Sequence, residues 1–248
     1  MDFLKHVQHF GVVFVALGLA TAGQLPKQDK PRWLSTNFKT LLTWDPDADK
    51  HSYDVEYAEY GEDWLSAPNC LGIKETECDL TNVLEIKTQY AARVKKTSTD
   101  GLDDVHSVYF IPYEESNITA MSFSLEAHGA NGSVTLNITD PLTSIYRNGS
   151  LLTIRDVFQN DLKYRISYQK VGSTRTKEKD CGNNVAVVDN LEPHQGYCFS
   201  VAALITTSTS DFRLGAWSKQ QCTSANRSFF QEGTKWLIPP LHEDAPKQ

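Results

Sequence analysis

Nowhere in the 248 residues does a G-x-S-x-G, a Gly-rich phosphate loop, an H-E-x-x-H or a C-x-x-C occur. The common sequence signatures of nucleophilic, phosphate-binding and zinc chemistry are therefore missing. No calcium-ligand loop is present either. Histidine is sparse: the one close pair, His6 and His9, lies in the N-terminal segment, while His51, His106, His128, His194 and His242 fall in polar, turn-like surroundings where solvated rings are expected. No carboxylate is set in an apolar run that would raise its pKa for acid catalysis. The 24 basic residues are dispersed among 31 acidic ones, for a net charge of −7, which leaves no electrostatic footprint for nucleic acid. After the first 22 residues no window approaches the roughly 18 uninterrupted apolar residues that cross a bilayer. Together these absences point to a chain that is not an enzyme and needs neither cofactor nor metal.

What is present speaks first about compartment. Lys5 and His6, the apolar stretch Phe10 to Leu19, and the small residues Ala20-Thr21-Ala22 form a secretory signal over residues 1–22, cut before Gly23. Five Asn-X-Ser/Thr triplets, at Asn117, Asn131, Asn137, Asn148 and Asn226, follow in a chain that enters that pathway, and they predict a glycosylated surface. Residues 224–248 are a tail that carries Pro239-Pro240 and polar residues. The expected location is secreted and extracellular, with no transmembrane helix.

An oxidising compartment pairs cysteines. Cys70 and Cys78 are eight positions apart and Cys198 and Cys222 are 24 apart, so pairing near neighbours gives one staple in each half. Sequence alone permits other connectivities. Cys181 is left over in the polar run Lys177 to Asn184, which reads as an exposed loop carrying a free thiol or an intermolecular disulfide.

An internal repeat divides the chain. Leu84, Tyr90 and Val94 follow an L-x5-Y-x3-V spacing that recurs 107 residues later as Leu191, Tyr197 and Val201. Upstream, Tyr53-Asp54-Val55-Glu56-Tyr57 is echoed by Tyr164-Arg165-Ile166-Ser167-Tyr168, each alternating as a half-buried strand does. The Leu-to-Tyr spacing is the mark of a tyrosine corner, whose hydroxyl pins the loop before a sandwich strand. The fold class is all-β: two tandem fibronectin type III sandwiches, over residues 25–113 and 114–223, joined by the stiff Pro112 to Asn117. One difference separates the copies. Asp45-Pro46 reaches Tyr53 within a few residues, whereas Asp140-Pro141 reaches Tyr164 through an insertion that contains Leu151 to Phe158. So apolar a surface insertion is expected to pack between the modules and fix their angle.

Four blocks then carry a specific resemblance: Trp33 to Pro46, Thr76 to Thr81, Leu152 to Phe158, and Gly196 to Val201. In this order, with matching cysteines and spread over residues 33 to 223, they resemble the tissue factor family within the class II cytokine receptors. Trp64-Leu65-Ser66 is similar to one of the family's Trp-Lys-Ser triplets. The resemblance implies a receptor that grips a factor VII/VIIa-like serine protease, orders its catalytic domain and so initiates blood coagulation. It also implies that the positions matching Lys39, Leu41, Trp64 and Asp79, with Leu151 in the second module, contact the protease. Lys170, Arg175 and Lys177 match a basic loop that receives a factor X-like zymogen near lipid. Strand alternation agrees in part: from Asn37 to Trp44, Phe38, Leu42 and Trp44 share one face, leaving Lys39, Leu41 and Thr43 on the other.

The match is incomplete. Thr43 stands where the family has an acidic residue, Leu151 replaces an aromatic contact and Tyr146 falls where a basic one is expected. Lys95, Lys96 and Thr97 replace aromatics, and the segment from Thr99 to Val108 is shorter. The alternative function is that of a soluble class II cytokine receptor binding a helical cytokine at the elbow between modules. A structural type III repeat protein is a third reading.

Overall fold

Period-2 patterning becomes strands, and the strands form two successive sandwiches. The computed structural model describes residues 30–46, 51–97, 104–128 and 132–224; residues 1–22, where a secretory signal is expected, Asn131, Asn226 and the tail from residue 225 on lie outside them. In the first half, β1 (Arg32–Thr36), β2 (Lys39–Thr43) and β5 (Glu77–Asp79) make one antiparallel sheet in the order β1-β2-β5. β3 (Ser52–Glu59), β4 (Leu65–Ser66), β6 (Tyr90–Thr97) and β7 (Asp104–His106) make the other, in the order β4-β3-β6-β7. One helical turn, α1 (Pro112–Glu115), leads to the second half, where β8 (Ser122–His128), β9 (Ser133–Thr139) and β14 (Val185–Val188) face β12 (Leu162–Lys170), β13 (Thr176–Cys181), β15 (Tyr197–Ile205) and β16 (Gln221–Cys222). Both halves thus have three strands on four, the fibronectin type III arrangement. The insertion is a hairpin, β10 (Leu142–Arg147) with β11 (Ser150–Thr153), running into α2 (Ile154–Phe158).

Each tyrosine corner closes the same way. The Tyr90 hydroxyl accepts the Glu85 N–H at 2.9 Å, and the Tyr197 hydroxyl accepts the Glu192 N–H at 3.1 Å. Leu42, Tyr53, Val55, Ala92 and Val94 fill the first core, with the Cys70–Cys78 disulfide at its edge; Leu136, Tyr164, Ile166, Phe199 and Val201 fill the second. Cys198 is bonded to Cys222, its cross-strand partner, and Cys181 is free.

Two expectations change. Phe38 does not continue the strand face of Leu42 and Trp44. Asn37 and Phe38 are the two central residues of the β1–β2 hairpin, at φ 46° and 67°, the left-handed region such turns favour but a bulky side chain avoids. What holds Phe38 there is burial in the other module's core, 5.3 Å from the Phe158 ring, itself 5.0 Å from Tyr113. The tip is pinned further: Asn37 N–H donates to the Asn117 carbonyl (2.8 Å), Ser144 N–H to the Asn37 carbonyl (2.9 Å), and the Asn37 side chain exchanges two bonds with Thr119. The inserted segment supplies Ile154 and Phe158 to this junction, so it does lie between the modules. Its helix starts with a reciprocal capping box between Thr153 and Asp156.

The second change concerns Cys181. The polar run Lys177 to Cys181 is not a loop but most of β13, paired along β12, with Arg165 clamping Asp180 through two 2.9 Å bonds. An edge strand with one wet face tolerates such a sequence. Cys181 packs half-buried against the second core, where burial, aided by Asp180, pushes its thiol above the ordinary value.

Candidate functional site

On β2, alternation buries Thr40 and Leu42 and turns Lys39, Leu41 and Thr43 outward. Leu41 lies in register with Asp79 of β5 on one side and Leu34 of β1 on the other. Lys39 Nζ donates to Asp79 Oδ2 at 3.0 Å. Both side chains stay about half exposed, and exposed pairs of this kind contribute little to stability. Partial burial raises the Asp79 carboxyl, but bonds from Thr81 and Lys39 reverse this and hold it below its ordinary value. The outward face of β1-β2-β5 is therefore a fixed ion pair beside two leucines. Leu34 is 53% exposed, because β1 turns Trp33 and Ser35 inward and leaves Leu34 on the outer face, an arrangement that an apolar residue beside a serine does not announce.

Trp64 packs on the other sheet. It precedes β4, with its indole edge-on to His106 at 5.4 Å and the Arg93 guanidinium 4.4 Å over its ring. His106 is therefore a strand residue rather than a turn residue, exposed as expected while its ring meets Trp64. Arg93 is held by Glu56, which also accepts Lys95 Nζ at 2.8 Å. The structure groups Lys39, Leu41 and Asp79 on one sheet and sets Trp64 on its neighbour. β4 and β5 are edge strands of their respective sheets, joined by a loop stapled by Cys70–Cys78, so both groups border the rim where the chain crosses between sheets.

Burial raises the Glu56 carboxyl, and the bonds from Lys95 and Arg93 outweigh it, leaving Glu56 below its ordinary value. A lowered folded pKa contributes stability above the unfolded value, about 4.3 for Glu, and that contribution is lost as pH falls through the folded one. Glu56→Gln should therefore be less stable than the parent at pH 7, with the gap closing on acidification below pH about 4. Urea midpoints across that range provide the check, and a gap independent of pH would refute the assignment.

In the second module, Leu151 is 45% exposed and lies opposite Tyr146, which is 67% exposed. The hairpin tip is Asn148-Gly149, both at positive φ. Between this insertion and residues Glu85 to Thr88 runs a groove of about 410 Å³, lined on the far side by Ile145, Leu152 and Val157. Of the three basic residues, Lys170 ends β12 and donates to Glu192 at 2.5 Å, while Arg175 in the turn and Lys177 on β13 make no ion pair among the described residues. Asn117 and Asn148 are exposed, and Asn137 is half-exposed on β9. No group of three His, Cys, Asp or Glu side chains is placed to hold a metal ion among the described residues, and none of their helices is long and apolar enough to cross a membrane.

Comparison with known proteins places this geometry. Residues 7–104 match the family model described as tissue factor, and residues 122–226 match that of the interferon-alpha/beta receptor fibronectin type III domain. Tissue factor of Oryctolagus cuniculus is 34% identical over 212 residues, covering 81% of this chain and 70% of the rabbit protein. The chain belongs to the tissue factor family. The wider class II cytokine receptors are also related: interleukin-20 receptor subunit alpha of Mus musculus is 29% identical over 81% of this chain and 37% of the receptor. The chicken interferon gamma receptor alpha chain superposes with a TM-score of 0.57 at 19% identity, over 79% of this chain and 96% of that one, and shares its fold. Within the tissue factor family, then, the Lys39–Asp79 pair and the two leucines beside it are the outward face of the first module's three-stranded sheet.

Proposed function

We propose that this chain is an extracellular, non-enzymatic cofactor that binds a factor VII/VIIa-like serine protease through Lys39, Leu41, Trp64 and Asp79, with Leu151 as a second-module contact. Binding shifts the protease toward its active conformation by differential affinity for that state. The observation that carries the reading is the Lys39–Asp79 pair, a pair of little value to the fold that flanks exposed apolar surface in a tissue factor family member. Arg175 and Lys177 form the surface that receives a factor X-like zymogen; Lys170, bonded to Glu192, serves it less. The leader at residues 1–22 directs secretion, and Asn117, Asn137 and Asn148 carry N-glycans, with Asn131 and Asn226 as further acceptors.

The test is protease activity toward a small peptide substrate, which needs no membrane. Saturating protein should raise it. Lys39→Ala and Trp64→Ala should each weaken binding by about 1 to 3 kcal/mol, read by surface plasmon resonance. Arg175→Ala with Lys177→Ala should leave binding unchanged and reduce zymogen activation on a membrane-tethered version. Absence of both binding and a rise in peptide hydrolysis would end the cofactor reading. The second reading is a receptor for a helical cytokine, favoured by the groove between the modules and by the interleukin-20 receptor relative; binding of a class II cytokine in place of the protease would establish it.

A further inference from the structure

The loop between β3 and β4 carries chemistry that neither reading uses. With the last residue of β3 it reads Glu59-Tyr60-Gly61-Glu62-Asp63. Glu62 N–H donates to the Glu59 carbonyl at 3.0 Å and Gly61 takes φ 86°, so the chain reverses and Tyr60 stands at the turn, 66% exposed. Its ring is steadied edge-on by Tyr109 at 5.4 Å, and its hydroxyl has no hydrogen-bond partner among the described residues. Glu59, Glu62 and Asp63 are exposed around it, and none of the three forms an ion pair among those residues. An aromatic this exposed adds little to the core, yet its phenol is held outward on a fixed turn between carboxylates.

We infer that Tyr60 is a tyrosine sulfation site, modified by a sulfotransferase of the secretory pathway whose basic cleft reads the flanking carboxylates. The inference rests on the extracellular reading of the chain. The donor is an activated-sulfate nucleotide, a phosphosulfate anhydride. The Tyr60 oxygen bonds to sulfur as the bond from sulfur to the bridging oxygen breaks; the nucleotide leaves as its phosphate, the phenolic proton passes to an enzyme base, and nothing is oxidised or reduced. Two nearby tyrosines serve as controls. Tyr109 is 53% exposed but has no carboxylate within four residues on either side, the nearest being Asp104 and Glu114, and Tyr57 is half-buried against Tyr90. The product carries a permanent negative charge four residues before Trp64, where it favours a basic patch on a docking partner.

The experiment is peptide mass spectrometry of the full chain secreted from mammalian cells. The peptide containing Tyr60 should gain one SO3 unit that resists phosphatase, is shed readily in the gas phase and is absent from cells grown in chlorate, which blocks activated-sulfate synthesis. Tyr60→Phe should abolish the gain and Tyr109→Phe should not. Glu62→Gln with Asp63→Asn, leaving Tyr60 in place, should lower occupancy several-fold. A secreted, N-glycosylated chain with unmodified Tyr60, or one whose added group is removed by phosphatase, overturns the inference and leaves the extracellular reading intact. A chain retained in the cell without glycans overturns both.

Discussion

Replacing Phe158 with alanine is expected to lower the unfolding free energy by about 3 to 5 kcal/mol, the range for deleting a buried aromatic side chain. It should also split a single transition into two. The ring is 2% exposed and is tilted against Phe38 from the first module and Tyr113 from the connection. Removing it leaves a cavity that neither neighbour can fill: Phe38 is fixed by its hairpin, and the Tyr113 hydroxyl donates to Asp161 at 2.8 Å. Burial and that carboxylate push the Tyr113 hydroxyl up to about 12, so it remains a donor throughout the accessible pH range. With Trp217, the second module's tryptophan, replaced by Phe in both the parent and the variant, Trp33, Trp44 and Trp64 weight fluorescence toward the first module, and far-UV circular dichroism reports both. In the variant the two signals should separate along a denaturant gradient. Coincident signals with a loss under about 1 kcal/mol would show that Phe158 does not carry the coupling between the modules.

Breaking Cys198–Cys222 with paired serine substitutions should cost about 3 kcal/mol, from the loop-closure entropy returned to the unfolded chain. The bond joins directly opposed residues of β15 and β16, and β16 is only two residues long. Besides the disulfide, β16 and Thr223 after it are tied by the Thr223 N–H to the Tyr197 carbonyl (2.8 Å), the Tyr197 N–H to Thr223 Oγ1 (3.0 Å) and the Gln221 side chain to the Phe123 carbonyl (2.6 Å). The corresponding change at Cys70–Cys78, which closes a shorter loop, should cost less. Denaturant midpoints of the two double variants check the order, and equal or reversed losses would count against it.

Much of this architecture was legible because it repeats. Leu84 to Tyr90 and Leu191 to Tyr197 give the same hydroxyl-to-amide bond five residues back, a constraint local enough to leave a fixed spacing. The outward set Lys39, Leu41 and Thr43 followed from the two-residue period. Phe38 did not, because the force that seats it comes from Phe158, 120 positions away. Nothing in Asn37-Phe38 announces a turn strongly enough to override an apolar alternation. The strand β13 was hidden for a different reason: an edge strand wet on one side can be polar throughout, and only its partner Arg165 and the rest of β12 give it away. Asn148-Gly149 is both the start of a glycan acceptor triplet and a strong hairpin signal, and the β10–β11 hairpin turns on it. For the candidate site, membership of Lys39 and Asp79 in one pair depends on which strands adjoin, which no local pattern encodes.

The β1–β2 hairpin tip belongs to one module by chain and to the other by packing. Neither half is thus a cassette that can be cut out whole: excised, the first would present a bare phenylalanine to water and the second would be left with a socket. The elbow behaves as a set square rather than a hinge. A partner that reaches from Lys39 to Leu151 meets two surfaces whose spacing is already set, so none of its binding energy goes into choosing an angle. A partner shaped for a different angle is turned away by the same stiffness.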